Sequence, residues 1–218
     1  MNATYVGTLQ LAAGAVLLSA VMTLWRRGVG SLVSMLSLQG MALSVVAVDL
    51  ALHENDHALL LTGLLVLVVK GLVVPTLLRR VARLDPRSRE SRPLVNVPAS
   101  LVFAAALIVL SYVVGTRIAA FSAGSATDLA PLGLATVLVG YFLLVTRRRA
   151  VSKIVGLIVV DNGIALMTFL LTSGVPLIVE LGASLDVLLV VVVLQFLMVS
   201  MRHHSETDQL TEMTALHD

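Results

Sequence analysis

The stretch LLLTGLLVLVVKGLVVP (residues 59–75) decides the fold, because it is a long apolar run with one charged residue, Lys70, inside it. With its neighbours it fills residues 58–78, about the 20 apolar residues that a helix needs to cross a bilayer. Six more segments share this character, at roughly 5–25, 29–52, 98–118, 129–146, 151–172 and 176–201. Their apolar runs are continuous and lack the alternation of barrel strands. The sequence therefore predicts an all-α integral membrane protein of seven transmembrane helices.

Composition supports a membrane protein and excludes several kinds of site. Of the 218 residues, 58% are hydrophobic and 13% are charged, against about 25% charged in a typical soluble domain. A soluble fold of this size could not bury that much apolar surface. The chain has no cysteine, which excludes disulfides and thiolate-bound iron–sulfur or zinc centres on it. None of the five histidines lies within an apolar run, so a buried bis-histidine haem is not expected. His53 and His57 have the spacing of a metal site, but they fall in a short external loop, where we favour a role in capping helix ends and expect no metal.

The basic residues predict the orientation. With seven spans, Arg26, the six arginines between positions 79 and 92, the basic group at 147–153 and Arg202 all fall on one side of the membrane. Arg117 falls on the other side. The positive-inside rule then places the N-terminus outside and the C-terminus in the cytoplasm. Because this topology explains the basic excess, we do not expect nucleic-acid binding.

Charged residues inside the predicted spans are the candidate functional residues. Lys70, Asp161 and Asp186 fall near the middle of their spans, and Asp49 and Glu180 fall nearer the outer face. Each charge at a helix centre costs about 2.5–3.5 kcal/mol on insertion scales. Two roles remain open for them: buried ion pairs that fix the helix register, and a proton relay. For Asp161, Asp186 and Glu180 we favour a functional role, for Lys70 the two roles are balanced, and for Asp49 we favour an interfacial residue that reaches water.

The backbone next to Lys70 is predicted to be irregular. Gly71 follows it directly, and Pro75 removes the helical hydrogen bond to the carbonyl of Gly71. A carbonyl released beside a buried charge suits an ordered water and favours a functional role, although kinks without a role are common in membrane helices.

A faint internal repeat divides the chain into two halves. Residues 38–43 (LQGMAL) align with residues 161–166 (DNGIAL), and each half contains three spans with arginines after the first. Both triplets would run in the same direction, so the repeat would be parallel. The predicted division is residues 1–80 for the N-terminal unit, 81–97 for a cytoplasmic linker, 98–118 for a connecting helix, 119–201 for the C-terminal unit and 202–218 for a cytoplasmic tail.

These motifs resemble the hydrogenase-4 component E family. The run from Lys70 to Pro75 is similar to its K-x-x-x-x-P pattern, and residues 161–163 to its acidic-Asn-Gly motif. The run from Glu180 to Asp186 and the tail at 210–216 also resemble that family. The last three spans further resemble the K subunit of respiratory complex I and the C subunit of Mrp-type antiporters. The resemblance implies two parallel K-subunit-like three-helix units with one extra helix between them, and it gives Asp161 and Asp186 the roles of those subunits' buried acids.

The resemblance also implies a function and a setting. The chain would be a non-catalytic membrane-arm subunit of an energy-converting [NiFe]-hydrogenase or formate hydrogenlyase type complex in a prokaryotic inner membrane. Its partners would be antiporter-like and quinone-binding-like membrane subunits and a cytoplasmic redox arm, with nickel–iron and iron–sulfur centres on those partners. Its buried charges would serve redox-coupled proton translocation. The alternatives are a subunit of a Mrp-type cation/proton antiporter and a non-conducting membrane scaffold.

Overall fold

The computed structural model describes residues 3–26, 28–84, 95–119, 126–172, 182 and 188–193, and the regular structure in these ranges is helical. The α-helices are α1 (Ala3–Trp25), α2 (Val29–Glu54), α3 (His57–Val66), α4 (Val74–Leu84), α5 (Val97–Ala119), α6 (Ala130–Thr146) and α7 (Ala150–Thr172). A π-helical segment (Leu67–Val73) joins α3 to α4 without a break, and a 3₁₀ turn (Thr127–Leu129) precedes α6. Residues 188–193 are also helical.

Six helices in the described ranges are long and apolar enough to cross a membrane. They coincide with the first six predicted spans, and the third of them runs over His57–Arg83 through the π-helical segment. The chain is therefore a multi-pass membrane protein. Most of the seventh predicted span (176–201), most of the linker (81–97) and the whole tail (202–218) lie outside the described residues, so the division into two three-helix units stays a prediction.

Four helices form the centre of the molecule. α1 packs against α2 and α6, and α7 packs against α2 and α6. The third span, from α3 through α4, lies along α2, while α5 packs on α6 and α1. Because backbone groups are satisfied within each helix, this assembly depends on side-chain packing and close backbone approach rather than on a hydrophobic drive in lipid.

Glycines bring α6 and α7 into backbone contact. A Cβ added to Gly140 would lie 2.7 Å from the nitrogen of Val160, and one added to Gly163 would lie 2.6 Å from the nitrogen of Val137. Gly133 and Gly156 make equally close approaches across the same pair of helices. On each helix the two glycines are seven residues apart, and they therefore set the distance between α6 and α7.

The core has two apolar layers with polar residues at the level between them. One layer includes Leu9, Leu50 and Phe169, and the other includes Leu36 and Leu143. On α2, the third span and α7 the two layers are separated by a few residues, which include Gln39, Lys70, Asp161 and Asn162. The fold thus holds a polar layer at the middle depth of the spans.

The loop between α2 and α3 is explained by helix capping. Asn55 ends α2 in the left-handed conformation with φ 56°, and Asp56 accepts hydrogen bonds from the backbone nitrogens of Ala58 (2.8 Å) and Leu59 (3.3 Å). These are the usual ways to satisfy orphan groups at helix ends. His53 stacks on Tyr5 with ring centroids 3.9 Å apart.

Candidate functional site

An ion pair joins the two halves of the chain in the polar layer. The Nζ atom of Lys70, in the π-helical segment, lies 2.9 Å from the Oδ2 atom of Asp161 on α7. The side chain of Lys70 is 3% exposed and that of Asp161 is 18% exposed. The structure therefore brings together two of the predicted site residues, which lie on the third and sixth spans.

The backbone that carries Lys70 is wider than an α-helix. The N–H of Val74 donates to the carbonyl of Val69, five residues earlier, which is the bonding pattern of a π-helix. Pro75 follows and has no N–H with which to restore the α pattern. The sequence predicted an irregularity here, and the structure shows it as seven residues of π-helix centred on Lys70.

The carbonyl of Gly71 has a protein partner. The hydroxyl of Ser37 on α2 donates to it across a distance of 2.7 Å. Pro75 has no N–H to donate to this carbonyl, and the sequence predicted water as the partner. In the structure, Ser37 makes the contact and ties α2 to the π-helical segment.

Gly40 allows α2 to approach the ion pair closely. A Cβ added to Gly40 would lie 2.5 Å from the carbonyl carbon and oxygen of Lys70 and 2.7 Å from the nitrogen of Gly71. Such distances are impossible for real side chains, so this position accepts glycine alone unless the helices move apart. The backbone of Lys70 is therefore positioned by direct contact with α2.

A buried amide bridge adjoins the ion pair. Asn162 follows Asp161 on α7, and its Nδ2 donates to Oε1 of Gln39 on α2 at 3.0 Å. The Nε2 atom of Gln39 donates to the carbonyl of Val16 on α1 at 3.2 Å. Both amides are 1% exposed. Among the described residues, the Oδ1 atom of Asn162 has no hydrogen-bond donor.

The other predicted site residues are not part of this cluster. Asp49 lies nine residues from Gly40 along α2, roughly 13 Å away at 1.5 Å per residue, and accepts a 2.7 Å hydrogen bond from the hydroxyl of Thr8. Glu180 and Asp186 lie outside the described residues. The structure therefore separates Asp49 from the Lys70–Asp161 pair.

The structural roles of two polar residues, Gln39 and Arg147, were not predicted from the sequence. Gln39 was assigned only to the internal repeat, although a single amide in an apolar run is itself a sign of a buried hydrogen bond. Arg147 was treated as an orientation signal. It is 3% exposed and donates from Nη2 to the carbonyls of Thr23 (3.0 Å), Leu24 (3.1 Å) and Arg26 (3.2 Å). It thus caps the C-terminal end of α1, where a cation is favourable.

The ion pair, the amide bridge and the glycine contact form one polar unit between α2, α7 and the third span. A base and an acid in direct contact can exchange a proton, and their charges cancel at a depth where single charges are costly. In the described part of the chain, no group of three or more acidic, histidine or cysteine side chains could hold a metal ion. The fold and site define a multi-pass membrane protein with a built acid–base pair in its interior.

Comparison with known proteins identifies the family. The chain is 30% identical over 151 residues to hydrogenase-4 component E of Escherichia coli (strain K12), covering 68% of this chain and 69% of that protein. The Shigella flexneri protein of the same name gives the same figures. An uncharacterized protein of Mycobacterium tuberculosis is 38% identical over 216 residues, covering 97% of this chain and 98% of the relative. This chain belongs to the hydrogenase-4 component E family.

The comparison confirms the family resemblance inferred from the sequence motifs. No family model and no solved structure matches the chain. The likenesses to the K subunit of complex I and to the C subunit of Mrp antiporters therefore stay predictions.

Proposed function

We propose that this protein is a membrane-arm subunit of a multi-subunit, hydrogenase-type complex, and that Lys70 and Asp161 take part in redox-coupled proton translocation. Its family membership and six membrane-spanning helices support the first part. The single observation that carries the second is the 2.9 Å contact between Lys70 and Asp161 in the polar layer. Intramembrane charges of this kind commonly mark ion paths.

The chemistry requires no cofactor on this chain. In the paired state Lys70 is protonated and Asp161 is ionised, which leaves the pair neutral as a whole. Transfer of the proton from Nζ to the carboxylate gives a neutral amine beside a neutral acid, which apolar surroundings tolerate. Asp161 is the more exposed partner, so it is the group through which the pair would exchange protons with the rest of a path.

We place the redox centres on other subunits. The chain has no cysteine to bind iron–sulfur or nickel–iron groups. The expected partners are therefore the other membrane subunits and a cytoplasmic redox arm. Subunit composition of the purified complex tests this: nickel and iron–sulfur subunits support a hydrogenase-type complex, and their replacement by antiporter subunits contradicts it.

The proton role is tested by Asp161→Asn in the assembled complex. We expect the complex to assemble and to keep its electron-transfer activity while proton uptake into inverted membrane vesicles falls at least tenfold. Asp128→Asn is the matched control, because Asp128 is an exposed carboxylate before α6, and we expect it to leave proton uptake unchanged. Full proton uptake in the Asp161→Asn complex would contradict the proposal.

A non-conducting scaffold is the second candidate, and the direct contact of Lys70 with Asp161 also favours it. A permanent pair would fix the register of the third and sixth spans without moving protons. The double variant Lys70→Gln and Asp161→Asn separates the two functions. A scaffold predicts normal assembly with normal proton uptake, whereas a relay predicts normal assembly with lost uptake.

A further inference from the structure

Asp49 is a carboxylate at membrane depth that the ion pair does not use. It lies five residues before the end of α2 at Glu54. The 26 residues of α2 make a helix about 39 Å long, against a hydrocarbon thickness of about 30 Å. In a centred helix, Asp49 therefore lies close to the boundary between the acyl chains and the headgroups.

The charge of Asp49 is not balanced by a basic residue in the described part of the chain. Its hydrogen-bond donor there is the neutral hydroxyl of Thr8, which contacts Oδ2 at 2.7 Å and also bonds to carbonyls of its own helix. Within these ranges, no lysine, arginine or histidine lies within ion-pair distance of Asp49. A carboxylate at this depth requires compensation by pairing or hydration.

Asp49 lines an apolar groove on the surface of α2. The groove has a volume of about 410 Å³ and lies between α2 and the third span, with Thr8 of α1 at its edge. Val45, which is 51% exposed, also lines it, as do Met41 and Leu67. Asp49 and Met41 are eight residues apart on α2, or about 12 Å.

We propose that this groove binds one acyl chain of a phospholipid whose primary ammonium headgroup pairs with Asp49. The lipid is of the ethanolamine type, since the carboxylate selects a cationic N–H donor in the headgroup. A helix from another subunit is the competing occupant, and the crosslinking experiment below distinguishes it from the lipid.

The part of the groove at Met41 is close to the candidate functional site. A Cβ added to Gly71 would lie 3.5 Å from Cγ of Met41, so a chain reaching Met41 packs one residue away from Lys70. The lipid site goes beyond the proposed function and does not depend on it, because it requires only that α2 faces the bilayer. By the orientation that the sequence predicts, the lipid lies in the outer leaflet.

Photo-crosslinking in lipid nanodiscs tests the proposal. The protein, within its native complex, is reconstituted with trace phosphatidylethanolamine or phosphatidylglycerol carrying the same photoreactive acyl chain, and the labelled residues are identified by mass spectrometry. For the wild type we expect labels on the groove residues, with the ethanolamine lipid favoured about fivefold, the effect of an exposed ion pair of about 1 kcal/mol.

Three variants sharpen the test. Asp49→Asn keeps the shape of the side chain and should remove the headgroup preference while groove labelling persists. Val45→Trp should fill the groove and abolish labelling of both lipids. Leu11→Trp is the control, since Leu11 is 77% exposed on α1 and is not part of the groove. Labelling of the groove residues in this variant should equal that in the wild type.

Several results would overturn the proposal. Equal labelling by the two lipids in the wild type would show that Asp49 does not select the headgroup. Unchanged labelling in Val45→Trp would show that the acyl chain does not bind in the groove. A crosslink from the groove to a partner subunit in place of lipid would show that a protein helix occupies it. Proton uptake is not a readout here, so failure of the proton proposal leaves these results unaffected.

Discussion

α2 and α7 carry the same short pattern, at residues 38–43 and 161–166, but they use it against different neighbours. Gly40 lets α2 touch the backbone of Lys70 on the third span, whereas Gly163 lets α7 touch the backbone of Val137 on α6. The amides that precede these glycines, Gln39 and Asn162, are hydrogen-bonded to each other. In both helices the glycine serves close packing, and the amide serves the junction between the halves.

The first position of the pattern separates the two helices. It is Leu38 on α2, which is 44% exposed on an apolar surface, and Asp161 on α7, which pairs with Lys70. The base of the ion pair therefore comes from the N-terminal half and the acid from the C-terminal half. The two stretches thus differ by one charge, and that charge pairs with Lys70 in the other half of the chain.

Replacing Asp161 with leucine gives α7 the residue that α2 has at the first position of the pattern. Among the variants that test this comparison, it should lower the free energy of unfolding the most. The variant leaves the ammonium of Lys70 buried without its carboxylate, and breaking a buried pair typically costs about 3–5 kcal/mol. The free energy of unfolding can be measured on the full-length chain by SDS titration in mixed micelles, followed by circular dichroism. Adding Lys70→Met should recover most of the loss, and a double variant as unstable as the single one would contradict a stabilising role for the pair.

Substituting alanine at Gly40 should have the next largest effect. The new methyl group would meet the peptide between Lys70 and Gly71 at 2.5 Å, and overpacking of this kind costs about 1–3 kcal/mol. Gly14→Ala is the control, since nothing lies within 4 Å of its added Cβ, and it should be neutral or stabilising in the same SDS titration. Equal stability of both variants would show that α2 and the third span separate without cost.

The spans themselves were predictable from the sequence because hydrocarbon imposes a simple rule on them. Every backbone group must be satisfied inside its own helix, so length and apolarity suffice to locate a span. The six spans in the described ranges accordingly match the predicted ones. The irregularity at Pro75 was predictable for a similar local reason, but its form as a π-helical segment was not.

The partners of the charged residues were harder to predict. Sequence position gives the depth of a residue in the membrane, but not the side of the helix that meets a distant span. Lys70 and Asp161 share a depth and do meet, whereas Asp49, which the sequence placed nearer the outer face, lies apart and is bonded to Thr8. Arg147 shows the same difficulty, because its three hydrogen bonds reach a helix more than a hundred residues earlier.

The smallest expected effect concerns the amide bridge, and a double-mutant cycle measures it. Gln39→Leu and Asn162→Leu each remove one side of the 3.0 Å hydrogen bond, and their coupling energy isolates the bond from other losses. Side-chain hydrogen bonds between membrane helices are worth about 0.6 kcal/mol on average and at most about 1.7. We expect a value toward the upper end, because both amides are 1% exposed and have no solvent alternative. The SDS titration of the wild type, both single variants and the double variant supplies the four free energies. A coupling energy of zero would mean that α2 and α7 are held by their backbone packing and the ion pair, and that the two copies of the pattern meet without interacting.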